Sequence, residues 1–104
     1  MTTQLTTETF AKAIQNGVSL IDFGAQWCPP CRMMEPVVEE LSQDFDGKAM
    51  IAQVDVDQSQ DLANLFGIRS IPTMVIFKDG KPVDALVGVH PKQTLIEKIQ
   101  AQLS

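Results

Sequence analysis

Cysteine is scarce in this chain: Cys28 and Cys31 are the only two among 104 residues, so a framework of structural disulfides is excluded and the pair must be explained as one local unit. Basic residues are also few. Eight Lys plus Arg are scattered along a chain of net charge -5, which argues against a nucleic-acid surface. A zinc centre is poorly supplied, because four ligands are needed and the chain offers two sulfurs, the single histidine His90, and no carboxylate at recognisable ligand spacing. No apolar stretch is long enough to span a membrane, and no membrane partner is expected. The opening Met1-Thr2-Thr3-Gln4 lacks the basic segment and apolar core of a secretory signal, so a cytoplasmic location is expected. No dinucleotide fingerprint is present, and the chain is expected to bind no cofactor of its own. Without repeats, linkers or low-complexity segments, a 44% hydrophobic composition supports one compact domain over residues 1–104.

What is present is the run Trp27-Cys28-Pro29-Pro30-Cys31-Arg32. A cysteine pair at i, i+3 is half of a metal site, a reversible dithiol/disulfide couple, or an accident. Its surroundings favour the couple. The apolar run Val18 to Phe23 lies upstream and a helical pattern lies downstream, so the pair sits where a strand hands over to a helix N-terminus. Uncompensated N–H groups and the positive end of the helix dipole stabilise a thiolate there. In the N-cap role, Cys28 points its sulfur at the N–H of Cys31, and Arg32 adds positive charge nearby. Cys31, one turn inside, is expected to be less exposed and less acidic. Cys28 is therefore the expected attacking thiol and Cys31 the resolving one.

Punctuation divides the rest into short alternating elements. Thr7 to Asn16 reads as a helix with Phe10, Ala13 and Ile14 inward, stopped by Gly17. A second helix is expected from Pro30 to Phe45, with Met34, Val37, Val38, Leu41 and Phe45 on one apolar face and a kink at Pro36. Met50 to Val56 reads as a strand, Asp61 to Phe66 as a short helix, and Thr73 to Phe77 as a strand turning through Asp79-Gly80 into Val83 to Val87. The last helix is expected to open at Pro91 with Leu95, Ile96, Ile99 and Leu103 inward. Strands alternating with helices before a terminal hairpin imply an α/β fold with a mixed sheet covered on both faces.

Asp22 interrupts the apolar strand, where a carboxylate costs free energy unless it is solvated or paired. A desolvated carboxylate there would hold its proton to higher pH, ready for proton transfer near neutrality.

The run Asp22-Phe23-Gly24-Ala25-Gln26-Trp27-Cys28-Pro29-Pro30-Cys31-Arg32-Met33, then Pro36, Gly67-Ile68-Arg69-Ser70-Ile71-Pro72-Thr73, Phe77-Lys78-Asp79-Gly80 and Val87-Gly88, resembles the thioredoxin family in order and spacing over nearly the whole chain. The resemblance implies a thioredoxin fold, a central mixed β-sheet of four to five strands flanked by helices on both faces, with an extra short strand near Thr3 to Leu5. It implies a protein-disulfide reductase acting through Cys28 and Cys31, with Asp22 as proton acceptor for the resolving thiol. It implies that Trp27 borders the substrate surface, that the Ile71-Pro72 bond is cis, and that Ile71, Pro72, Thr73 and Gly88 form a loop that pairs with an extended peptide. Expected partners are disulfide-containing proteins and an NADPH-dependent thioredoxin reductase, with the chain acting as a monomeric electron carrier.

Three positions depart from the family pattern. Gln53 stands where many members carry a lysine near the aspartate, so Asp22 is expected to titrate higher here. Gly24 replaces a bulky aromatic and is expected to leave the turn less covered. Pro29 replaces a glycine; with Pro30 it is expected to tune the redox couple by withholding N–H donors and restricting the reduced loop, both favouring the oxidised form. A residue before proline avoids the helical region, so a strained Pro29 or a helix beginning one residue later is also expected. The alternatives are an oxidase or isomerase of the same fold, since such pairs run in either direction according to potential, and a binding module whose redox state is incidental.

Overall fold

A computed structural model describes residues 2–104. The order of elements is β1 (Thr3–Leu5), α1 (Thr7–Ile14), β2 (Val18–Gly24), α2 (Pro29–Asp44), β3 (Met50–Asp55), α3 (Gln60–Leu65), β4 (Thr73–Lys78), β5 (Lys81–Val87) and α4 (Lys92–Leu103). The five strands form one sheet in the order β1-β3-β2-β4-β5. β1 and β2 run parallel to β3, whereas β4 is antiparallel to both β2 and β5. This is the mixed sheet expected from the sequence. The β4–β5 hairpin turns through Asp79 at φ 50° and Gly80 at φ 86°, the pair of left-handed residues that a tight two-residue turn requires.

Side chains alternate between faces along each strand, and the alternation builds two cores. On one face Leu20, Met74 and Ile76 pack with Met34, Val38 and Leu41 of α2 and Leu95 and Ile99 of α4. On the other, Ile21, Phe23, Val75 and Phe77 meet Phe10 and Ile14 of α1 and Leu62 of α3. Phe10, Phe23, Phe66 and Phe77 form a tilted and edge-to-face aromatic cluster there, with centroids 5.1 to 6.3 Å apart.

Asp22 shares its parity with Leu20, so it faces α2, directly behind the redox turn. So does Gly24.

Several boundaries differ from the sequence reading. α2 begins at Pro29, one residue earlier than the expected Pro30. Cys28 takes the extended N-cap conformation (φ -94°, ψ 109°) that a residue before proline prefers, and the first-turn prolines surrender only N–H groups that have no helical partner. Pro91 is extended and caps α4 instead of opening it. α1 stops at Ile14, short of Asn16, and Leu103 is 41% exposed at the frayed end of α4 although its spacing placed it inward.

Candidate active site

The redox turn joins the end of β2 to the start of α2. Cys28 and Cys31 are joined as a disulfide with Cα atoms 5.2 Å apart. The Cys31 N–H donates to Cys28 Sγ at 3.2 Å, the N-cap bond expected from the sequence. It is the first donor the sulfur can find, because neither Pro29 nor Pro30 has an N–H. The expected difference in exposure is absent in this oxidised form: Cys28 is 3% and Cys31 4% exposed. The reason is the facing loop, which brings the Ile71 carbonyl oxygen to 3.8 Å from Cys28 Sγ and covers it. Ala25, Val56 and Ile71 complete the apolar wall around the pair.

The loop opposite carries the other expected residues. The Ile71-Pro72 bond is cis, Pro72 is buried, and the Thr73 hydroxyl donates to the Ser70 carbonyl. Gly88 donates its N–H to the Pro72 carbonyl at 2.8 Å, so that donor is committed within the chain. Trp27 is largely exposed, and its indole Nε1 donates to Asp57 Oδ2 at 2.7 Å. The ring is thus pinned at one end while its face meets solvent. Val87, in register with Thr73, is exposed as well.

Behind the disulfide the chemistry changes. Asp22 is 3% exposed; Gln53, its register partner on β3, donates to Oδ2 at 3.3 Å, while Oδ1 has no hydrogen-bond partner. Gln4, in register with Gln53 on β1, donates its amide N–H to the Gln53 Oε1. A polar row Gln4-Gln53-Asp22 therefore runs from the sheet edge to the buried carboxyl, on the face that α2 covers. Burial pushes the Asp22 carboxyl up to about 6; the Gln53 hydrogen bond works against this and the negative charge of Glu35 adds to it. Asp22, Gly24, Cys31, Glu35 and Gln53 line a cavity of about 390 Å³.

The residues expected from the sequence, Cys28, Cys31, Asp22, Trp27 and the Ile71–Thr73 loop, are brought together at this one end of the sheet. Sequence reasoning missed Gln4, Glu35 and Asp57. Glu35 was recoverable in principle, since it lies four residues after Cys31 and so on the same helical face. Gln4 and Asp57 reach the site through non-local contacts that no local signal announces. Among the described residues, no three His, Cys, Asp or Glu side chains are grouped to hold a metal ion, and no helix is long and apolar enough to cross a membrane.

Comparison with known proteins agrees with the geometry. The family model Thioredoxin matches residues 1–101. Thioredoxins of Staphylococcus saprophyticus and Staphylococcus haemolyticus are 50% and 49% identical over 100 residues, 96% of this chain and of each relative. A solved mutant thioredoxin from Halobacterium salinarum NRC-1 superposes with a TM-score of 0.91 at 38% identity, covering 98% of this chain and 90% of that one. A dithiol/disulfide pair at a helix N-terminus, a matching fold and these relatives together place the chain in the thioredoxin family of thiol-disulfide oxidoreductases.

Proposed function

We propose that the chain reduces disulfides in partner proteins, with Cys28 as the attacking and Cys31 as the resolving thiol. The observation that carries this division is the Cys31 N–H donated to Cys28 Sγ at 3.2 Å: it stabilises negative charge on Cys28, while Cys31 has the Asp22 carboxyl behind it. The Cys28 thiolate attacks an accessible partner disulfide, one partner sulfur leaves with the bonding electrons, and a mixed disulfide forms. Cys31 then transfers its proton toward Asp22 and attacks Cys28 Sγ. The second partner sulfur leaves as thiolate, and the chain is left with the Cys28–Cys31 disulfide.

Partner capture falls to the apolar border. Trp27, Ile71, Pro72, Thr73 and Gly88 surround the covered sulfur of Cys28, and an extended peptide paired with the loop backbone would bring its cysteine to that sulfur. Because the Gly88 N–H is held by Pro72, recognition rests on the remaining main-chain groups and the apolar side chains. Main-chain recognition tolerates sequence, as a reductant of many proteins requires. A flavoprotein thioredoxin reductase drawing on NADPH restores the dithiol, and residues 1–104 act as one monomeric domain in the cytoplasm.

Insulin disulfide reduction tests the reading. Turnover is expected with dithiothreitol and with NADPH plus a thioredoxin reductase. Failure of both would overturn the proposed function, and a strongly oxidising potential would favour the oxidase alternative.

A further inference from the structure

Gly24 closes β2 two residues after Asp22, on the face that looks toward α2. It is half-buried, and its φ is not among the positive ones, so backbone conformation does not require glycine there. Space does bear on it. A Cβ on Gly24 would stand 3.2 Å from Cys31 Sγ, 3.3 Å from Cys31 Cβ and 3.8 Å from Asp22 Oδ1. Oδ1 is the carboxylate oxygen without a partner, and both side chains line the cavity of about 390 Å³ that Gly24 also borders. Polar groups and room for several water molecules make such a cavity a wet one.

We propose that Gly24 is an access residue: its missing side chain keeps the Cys31 sulfur and the Asp22 carboxyl open to the cavity, so that the proton of the resolving step leaves through water there. The proton passes from Cys31 Sγ to Asp22 and on to cavity water, while the electron pair left on Cys31 forms the bond to Cys28 Sγ. The described groups around Asp22 are consistent with that exit. Gln53 from β3 and Glu35 and Cys31 from α2 face it, with the apolar Met74 beside it in register on β4. None of these described groups is a cation to hold the charge in place, so relief falls to solvent. Cys31 is only 4% exposed, so a small neutral reagent would reach it through this opening and a protein would not.

This rests on Cys31 being the resolving thiol and Asp22 its proton acceptor, and the test separates the two claims. In a Cys28→Ser background, iodoacetamide alkylation of Cys31 is measured for Gly24, Gly24→Ala and Gly24→Val. Cys28 alkylation is measured in a Cys31→Ser background with the same three residues. The Asp22 carboxyl is followed by carbon-detected NMR in each reduced protein. Gly24→Val is expected to slow Cys31 alkylation by about tenfold, leave Cys28 within about twofold, and raise the Asp22 midpoint as the carboxyl loses water. Gly24→Ala shows the same pattern more weakly, because Cys31 need yield only a few tenths of an ångström, and it serves if the valine variant does not fold. Unchanged Cys31 alkylation, or equal slowing of both thiols, would overturn the access role. A normal resolving rate in Asp22→Asn would instead overturn the proton-acceptor assignment, whatever the Gly24 variants show.

Discussion

The two sides of one disulfide differ in kind. On its outer side, Cys28 is bordered by its neighbour Trp27 and by the Ile71-Pro72 loop, a neutral and largely apolar rim whose polar backbone is partly tied down internally. Toward the sheet, Cys31 backs onto Asp22, Glu35 and Gln53 around a polar cavity. On the proposed reading, the first environment receives the partner that Cys28 attacks and the second takes up the proton of Cys31. The short reach of a two-residue loop lets one helix N-terminus present a sulfur to each. Reactivity at Cys28 and Cys31 is therefore expected to be separable by substitutions on one side or the other.

The largest effect is expected from Asp22→Asn. It removes the proposed proton acceptor on the inner side, so resolution of a preformed mixed disulfide should slow by about 10²- to 10³-fold, while attack by Cys28 on a partner disulfide keeps its rate. In the wild type the resolving rate should rise with pH through about 6, as Asp22 ionises, and in Asp22→Asn that rise should vanish. Stopped-flow kinetics on each half-reaction checks both; equal slowing of the two halves would erase the proposed division.

Next in size is a stability effect. The native Asp22 holds its proton to about 6, against 3.8 when unperturbed, so between those values the native state binds more protons than the unfolded state. This carboxyl therefore weighs least on stability below pH 3.8, and its destabilisation grows as pH rises, reaching about 3 kcal/mol above pH 6. Urea unfolding from pH 4 to 8 should show Asp22→Asn becoming more stable relative to wild type by roughly that amount as pH rises. A pH-independent difference would mean that the carboxyl is not desolvated.

Gln53→Leu sharpens the same side. Deleting the N–H donated to Asp22 Oδ2 removes the one contribution that lowers its pKa, so the carboxyl should titrate above about 6 and the midpoint of the resolving rate should move with it. NMR titration of the reduced proteins reads the first, and the rate profile reads the second.

The smallest effect concerns the turn itself. Pro29 is expected to stiffen the reduced loop, so the potential of the chain should be no higher than that of Pro29→Gly. The expected gap is roughly 10 to 20 mV, the redox equivalent of about 0.4 to 1 kcal/mol of loop entropy. Equilibration with glutathione measures it, and a clearly more reducing glycine variant would remove the tuning role from the proline pair.

The redox turn was legible in the chain because its signals are local, whereas the Ile71–Thr73 loop and Gly88 were reached only through the family resemblance. The Trp27 to Arg32 run, the apolar strand before it and the helical spacing after it lie within a few residues of one another. Asp22 stood out as a carboxylate in an otherwise apolar strand, costly unless solvated or paired, and its expected role came from the family resemblance. The inner side was only half legible. Its other members arrive from β1, β3 and the fourth residue beyond Cys31, and Gln4 and Gln53 become neighbours only once β3 lies between β1 and β2. Gly24 could be noticed as a departure, but what its missing side chain uncovers is a distance to Cys31 Sγ, which only the packed structure supplies. Boundary errors at Pro29 and Pro91 have one cause: proline is accepted both just inside a helix and just before it.

The division between the two sulfurs is tested most directly by trapping. Cys31→Ser and Cys28→Ser proteins are incubated with a disulfide-bonded substrate, and the attached cysteine is mapped by peptide mass spectrometry. The structure predicts stable mixed disulfides through Cys28 in the Cys31→Ser protein and almost none through Cys31 in the Cys28→Ser protein. Efficient trapping on Cys31 would contradict it.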